Sequence, residues 1–305
     1  MPIAFLLEEF CTYSRFIKGH SQQTIKRYQE NISYFCKYTE IRNTNEISRS
    51  NVLSFFLYGR SQRNWRARTY RTYYMSLLVF FRWCKNEGHL EINFVEGIEL
   101  PKLEKSKKRG LSQQEATKLL EFVYNYPYEL EFQRLRNHAI FATFIFTGLR
   151  RNELLNLKLT DIELDNRTIF VRMGKGGKDR MIPINTTLAS ILHRYFAVRM
   201  NGRKTCPEFF TSSKGNTGLT RHGLKHIIDQ MKEASGIHFS SHLLRHTFAR
   251  FMLEGGCDIY TLKELMGHSD IRVTAEYMFA DAIQMRKEMT KHPLSSSHNQ
   301  LKPTY

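Results

Sequence analysis

Between Pro101 and Arg109 the chain reads PKLEKSKKR, a polar stretch with five basic residues, one acid and no apolar period. No helix or strand with a buried face fits it, so it reads as a linker. In a chain of 305 residues, the segments on its two sides must therefore close two separate cores. With 41% of residues hydrophobic, each side has the material to do so, which excludes disorder along the whole length.

The two sides differ in pattern. Residues 1–98 read as helical segments: over Thr24–Thr39 the residues Ile25, Tyr28, Ile32, Phe35 and Cys36 fall on one stripe. Asn51–Tyr58 is short and apolar, and Ser61–Asn86 reads as one long helix. Past the linker, Ser112 with Glu115 three residues on predicts a capped helix start. A helix is expected over Glu131–Phe146, ended by Thr147-Gly148, and a short one over Arg151–Leu155. Arg167–Met173 and Arg180–Ile184 are β-type runs joined by the turn Gly174–Asp179. Helices follow over Leu188–Met200, Arg221–Ala234, His242–Glu254, Tyr260–Met266 and Thr274–Met289. The expected fold class is mainly α with a small β-sheet: a helical domain over 1–100, a linker over 101–110, an α+β domain over 111–292 and a mobile polar tail over 293–305.

Charge narrows the partner. Lys+Arg number 46 against 29 Asp+Glu, a formal charge of +17. Such a surplus attracts polyanions, either nucleic acid or anionic headgroups. The most apolar run, Ala139–Phe146, falls far short of a membrane span, and the N-terminus carries no positive leader. Five scattered cysteines without metal spacing read as buried thiols in a reducing cytoplasm. Nucleic acid is the favoured partner, met in the cytoplasm at the nucleoid, with no membrane and no cofactor.

Candidate site residues stand in several clusters. Five arginines (Arg60, Arg63, Arg66, Arg68 and Arg71) and no acid lie between Tyr58 and Met75, interleaved with Trp65, Tyr70, Tyr73 and Tyr74. A solvated helix face normally mixes signs, so this stretch favours phosphate or groove contact. Lys175 and Lys178 sit in the glycine-rich turn, as plain turn residues or as a hairpin tip entering a groove; the phosphate-cradling loop spacing is absent. His238, His242 and His246 have helical spacing, but no carboxylate joins them and Arg245 would set a cation beside any metal. Tyr277 stands nine positions after His268 and closes a series that begins with Thr147-Gly148-Leu149-Arg150.

Together these residues resemble the tyrosine recombinases, the phage-integrase-type site-specific recombinases. Thr147-Gly148-Leu149-Arg150 with Glu153 is similar to the family's first arginine box, and Gly174-Lys175-Gly176 to its hairpin lysine. His242-Leu243-Leu244-Arg245 matches H-x-x-R, Leu265-Met266-Gly267-His268 the second histidine box, and Tyr277 the nucleophile's place. The N-terminal helices look like the family's core-binding, SAM-like domain. The resemblance implies a C-shaped clamp on double-stranded DNA at a specific core site, working as a homo-tetramer on two duplexes, with an accessory protein in some members. It also implies cleavage and rejoining through a 3′-phosphotyrosine without metal or ATP. In that scheme Tyr277 attacks, Arg150 and Arg245 grip the phosphate, and Lys175 protonates the leaving 5′-oxygen. His242 serves as acid/base, His268 hydrogen-bonds the phosphate, and Glu153 orients Arg150. Arg151 stands beside the first box as a further DNA contact or a plain solvent-facing residue, and Lys178 is a second hairpin lysine read as a DNA contact, the match to the family placing the acid at Lys175. The compact layout points to the Xer type or to small mobile-element integrases. Two rivals share the residue types: a type IB topoisomerase, and a DNA-binding regulator on a retired recombinase scaffold.

Overall fold

The computed structural model describes residues 1–103, 110–172, 179–268 and 270–275, and the chain divides into two compact units, Met1–Ser106 and Lys107–Tyr305. The first unit is built of α1 (Ile3–Phe16), α2 (Gln22–Thr39), α3 (Arg49–Ser61) and α4 (Ala67–Asn86). Ser21 and Ser48 cap α2 and α3 through their hydroxyls, taking orphan N–H groups of the first turn. Ile3, Leu6 and Phe10 give α1 a buried stripe, and Phe35, Phe55, Phe80 and Phe81 fill the centre of the unit. Phe35 and Phe55 meet edge to face, with centroids 5.2 Å apart. The buried amide of Asn31 donates to Ser76 Oγ at 2.9 Å and so joins α2 to α4 without an unmet polar group.

The long helix expected over Ser61–Asn86 is broken. Asn64 takes a left-handed conformation (φ 50°), and the Trp65 N–H turns back to the Gly59 carbonyl at 2.8 Å. This folds the Trp65 indole over Gly59 and stacks it on Tyr73, centroids 4.2 Å apart at 6°. The gain from burying the indole outweighs one continuous helix. Arg63 therefore lies in a turn, and Arg66 precedes the first residue of α4.

The second unit is built around α6 (Glu131–Thr147), which is buried on most of its surface. It packs against α5 (Gln113–Asn125), α8 (Thr186–Asn201) and α10 (Ser241–Glu254). The expected capping box stands at the start of α5, where the Ser112 N–H reaches Glu115 Oε2 at 2.7 Å and the Glu115 N–H reaches Ser112 Oγ at 3.2 Å. The short α7 (Arg151–Asn156) leads into a three-stranded antiparallel sheet of β1 (Ile162–Glu163), β2 (Thr168–Val171) and β3 (Arg180–Pro183), in that order. Ile169 pairs with both Ile162 and Ile182, setting an apolar row against the core. The unit is completed by α9 (Arg221–Ser235), α11 (Ile259–Met266) and α12 (Ile271–Ala275). The sequence reading starts the last helix at Thr274; the described helix begins three residues earlier, and the expected remainder lies outside the described residues. So do the turn carrying Lys175 and Lys178, and the tail over 293–305. Among the described residues no helix is long and apolar enough to cross a membrane.

Candidate active site

The site is organised by the C-terminal end of α11. Asp258 caps that helix at its start, accepting from the N–H groups of Tyr260 and Thr261, and Gly267 ends it in the left-handed region at φ 60°. The last carbonyls of a helix have no partner within it and carry its negative end. Three arginines from three separate elements take them in succession. Arg180 Nε donates to the Leu265 carbonyl at 2.9 Å, Arg245 Nη2 to Met266 at 2.6 Å and Arg150 Nη2 to Gly267 at 2.7 Å. Gly267 is required twice, by its backbone angle and by space: a Cβ there would meet Arg180 Nη1 at 2.9 Å.

Glu153 is the anion among these cations. It lies one turn into α7 and accepts the Arg150 backbone N–H at 2.8 Å, which fixes the start of that helix. Its carboxylate also accepts Arg150 Nη1 at 2.7 Å and both terminal nitrogens of Arg180, at 3.0 and 2.8 Å. Arg245 Nη1 stands 4.0 Å away. Burial pushes this carboxyl up, but the hydrogen bonds and charge of Arg180, with those of Arg150, overcome it and hold it at about 2. The side chains of Glu153 and Arg245 are 7% and 6% exposed against 22% for Arg150, so Arg150 keeps the most open face of the group.

Arg245 sits in the first half of α10, whose start is capped by Ser240. Its Nη1 donates to the Gly148 carbonyl at 2.5 Å, joining α10 to the turn after α6. Its Nη2 also lies 2.9 Å from His268 Nε2, and His268 Nδ1 lies 2.8 Å from the hydroxyl of Thr274, a fully buried residue of α12. His242 is exposed in the first turn of α10, three residues before Arg245 and on the same side of the helix.

The structure thus gathers Arg150, Glu153, Arg245 and His268 at one place, with His242 on the adjoining turn. Lys175, Lys178 and Tyr277 lie outside the described residues. Arg151 opens α7 and is half-buried. In the first unit Arg63, Arg66 and Arg68 are exposed, whereas Arg71 is half-buried and donates from Nε and Nη2 to the Pro101 carbonyl at 3.2 and 3.0 Å. The interleaved Trp65, Tyr70 and Tyr74 are core residues. Among the described residues no group of three or more His, Cys, Asp or Glu could hold a metal ion.

Sequence reasoning missed Arg180 and Thr274. Arg180 left a signal: it shares the inward parity of buried Ile182 on β3, and a cation at a core-facing strand position needs a buried anion. Thr274 left none, because a threonine before a helical run has no property that sets it apart.

Residues 109–282 match the phage integrase family model, and residues 6–88 match the phage integrase N-terminal SAM-like domain. The chain is 30% identical over 291 residues to tyrosine recombinase XerD of Listeria monocytogenes, covering 92% of this chain and 96% of that one. To tyrosine recombinase XerA of Pyrococcus furiosus it is 30% identical over 288 residues, covering 94% and 93%. In fold it is similar to the XerH site-specific recombinase bound to a palindromic difH substrate (TM-score 0.72, 21% identity, 93% of this chain and 83% of that one). The Tn1549 transposon integrase in complex with circular intermediate DNA gives a TM-score of 0.73 at 19% identity, covering 95% and 99%. Both domain models, the near full-length relatives and the clustered arginine and histidine boxes lead to one conclusion: the chain belongs to the phage integrase family and is a tyrosine-type site-specific recombinase.

Proposed function

We propose that this recombinase binds duplex DNA at a specific core site and exchanges strands through a 3′-phosphotyrosine on Tyr277, with no metal or ATP in the step. The observation that carries the reading is the convergence of Arg150 and Arg245 with His268 on the end of α11. Two permanently charged forks at one place suit a pentavalent phosphorane, whose equatorial oxygens gain negative charge as the nucleophile arrives. Tyr277 Oη attacks phosphorus, its proton passing toward His242, and the P–O5′ bond breaks. The 5′-oxygen takes a proton from Lys175 and leaves as a free hydroxyl. The new ester keeps the energy of the broken one, so attack by a second strand's 5′-hydroxyl reverses the step and frees Tyr277. His268 supplies a further hydrogen bond to the phosphate, and Glu153 holds Arg150 in place.

Duplex DNA as substrate is supported by the relatives' names and by the first unit's charge. Arg66 and Arg68 stand at the start of α4, where no acid accompanies them. Cations at a helix N-terminus oppose its dipole, and a bound phosphate offsets that cost. Arg63, Arg151 and Lys178 add backbone contacts. Work on two duplexes as a homo-tetramer, in the cytoplasm at the nucleoid, follows the Xer pattern.

Strand exchange tests the reading. Full-length protein is used to select its core site from a random-sequence pool, and two labelled duplexes carrying that site are then mixed with it. The expected result is recombinant duplexes of exchanged flanks. Relaxation of a supercoiled plasmid lacking the site would show a topoisomerase instead, and binding without exchange would show a regulator.

A further inference from the structure

We infer that Arg180 is a positioning residue for strand cleavage, the tie that fixes the carboxylate of Glu153 and the end of α11 against each other. The inference rests on the catalytic reading above and adds a residue to it. Arg180 opens β3, two positions after Lys178 in the sequence, and its side chain is 10% exposed. All three guanidinium nitrogens are engaged: Nη1 and Nη2 on the two oxygens of Glu153, Nε on the Leu265 carbonyl. This bidentate fork leaves Glu153 little freedom to rotate. Glu153 in turn holds Arg150 Nη1, while the same α11 end that Arg180 grips supplies the carbonyls for Arg150 and Arg245.

Among the described residues Arg180 donates to Glu153 and the Leu265 carbonyl alone, so its contribution to the phosphate runs through Arg150 and Arg245. Stability alone could be met by other arrangements, because well-packed apolar residues in place of a whole buried ion pair are often neutral, although removing one partner by itself is costly. Aim is more demanding, since a displacement of about 1 Å at a reacting group can cost on the order of a hundredfold in rate. Without Arg180, the charged groups left facing Glu153 among the described residues are Arg150, just before its own helix, and Arg245 of α10 at 4.0 Å. The carboxylate is then free to swing, and it becomes easier to protonate.

The test compares Arg180→Gln, Arg180→Lys, Glu153→Gln and the Arg180→Gln/Glu153→Gln double variant as full chains. Each is measured for affinity toward the selected core duplex and for single-turnover adduct formation on the same duplex carrying a nick, from acidic to neutral pH. Arg180→Gln is expected to form adduct about a hundredfold more slowly at saturating DNA, with affinity changed by less than about threefold. Its rate should fall further at acidic pH where the wild type is unaffected. That extra loss should be absent from the double variant, which should react no more slowly than Glu153→Gln alone. Arg180→Lys should recover part of the rate. Equal losses from Arg180→Gln in both backgrounds, or a wild-type rate in Arg180→Gln, would overturn this role alone. A wild type that forms no adduct would overturn the catalytic reading, and this role with it.

Discussion

The Nε2 atom of His268 lies 2.9 Å from Nη2 of Arg245, and a guanidinium has only donors to offer. The imidazole therefore meets Arg245 with a lone pair and carries its proton on Nδ1, from which it donates to Thr274 Oγ1 at 2.8 Å. Before DNA arrives, Arg245 and His268 are thus engaged with each other. In the proposed complex a phosphate entering between them would take over Arg245's donor, and a shift of the His268 proton from Nδ1 to Nε2, with the Thr274 hydroxyl turning to donate to Nδ1, would let the imidazole bond it. A ¹⁵N spectrum of the DNA-free protein should show His268 as the Nδ1–H tautomer, and an Nε2–H signal would contradict this. Thr274→Val removes the acceptor and should lower adduct formation about tenfold with DNA affinity preserved.

Glu153 links stability to pH. Its carboxyl titrates near 4.5 when unfolded and at about 2 when folded, so between those values the unfolded chain binds more protons. The stabilisation is fully present above pH 4.5 and is lost as pH falls toward 2, roughly 3 kcal/mol in all. Hydrogen exchange at amides of α10 and α11 should show this loss in the wild type and a flatter profile in Glu153→Gln. Matching profiles would remove Glu153 from the account of acid stability.

His138 acts at milder pH. Burial, with the charge of Arg194 adding to it, holds this imidazole down to about 4 from an ordinary value of 6.5. The unfolded chain takes up the proton first, so stability falls as pH drops from 6.5 toward 4. Amide exchange along α6 should quicken through that window, and His138→Gln should abolish the dependence. An unchanged dependence in the variant would assign it to another group.

Gly59 is the closest approach in the first unit. A Cβ there would lie 2.1–2.5 Å from ring atoms of Trp65, which is itself stacked on Tyr73 and 8% exposed. Gly59→Ala must push the indole out, at a cost of roughly 1–3 kcal/mol. Both tryptophans, Trp65 and Trp83, belong to this unit, so urea unfolding followed by tryptophan fluorescence reads it directly. A change within about 0.5 kcal/mol would show that the turn relaxes freely.

Much of this was legible in the chain because the signals were local. Ser112 with Glu115 marked a helix start, Gly148 a helix end, and the β-type runs Arg167–Met173 and Arg180–Ile184 a strand pair. The boxes around Arg150, Arg245 and His268 brought these residues to one place because short motifs travel with their helix ends. The break before Ala67 was hidden, since Asn64 and Trp65 form a turn held by tertiary burial, with neither glycine nor proline at its centre. The two-residue β1 is too short to show a period. Arg71 read as a DNA contact, while its commitment to the Pro101 carbonyl depends on where the chain returns thirty residues later. Arg180 looked like a strand cation until its carboxylate partner, 27 residues away in sequence, stood beside it.

The proposed mechanism makes Tyr277 the covalent link to DNA. A nicked duplex carrying the selected core site lets the short strand diffuse away after cleavage, so the adduct accumulates and is read on a denaturing gel and by peptide mapping. The wild type is expected to give a protein–DNA adduct mapped to Tyr277 through the 3′-phosphate, and Tyr277→Phe none. An adduct that persists in Tyr277→Phe, or a wild type that binds the nicked site and forms none, would contradict it.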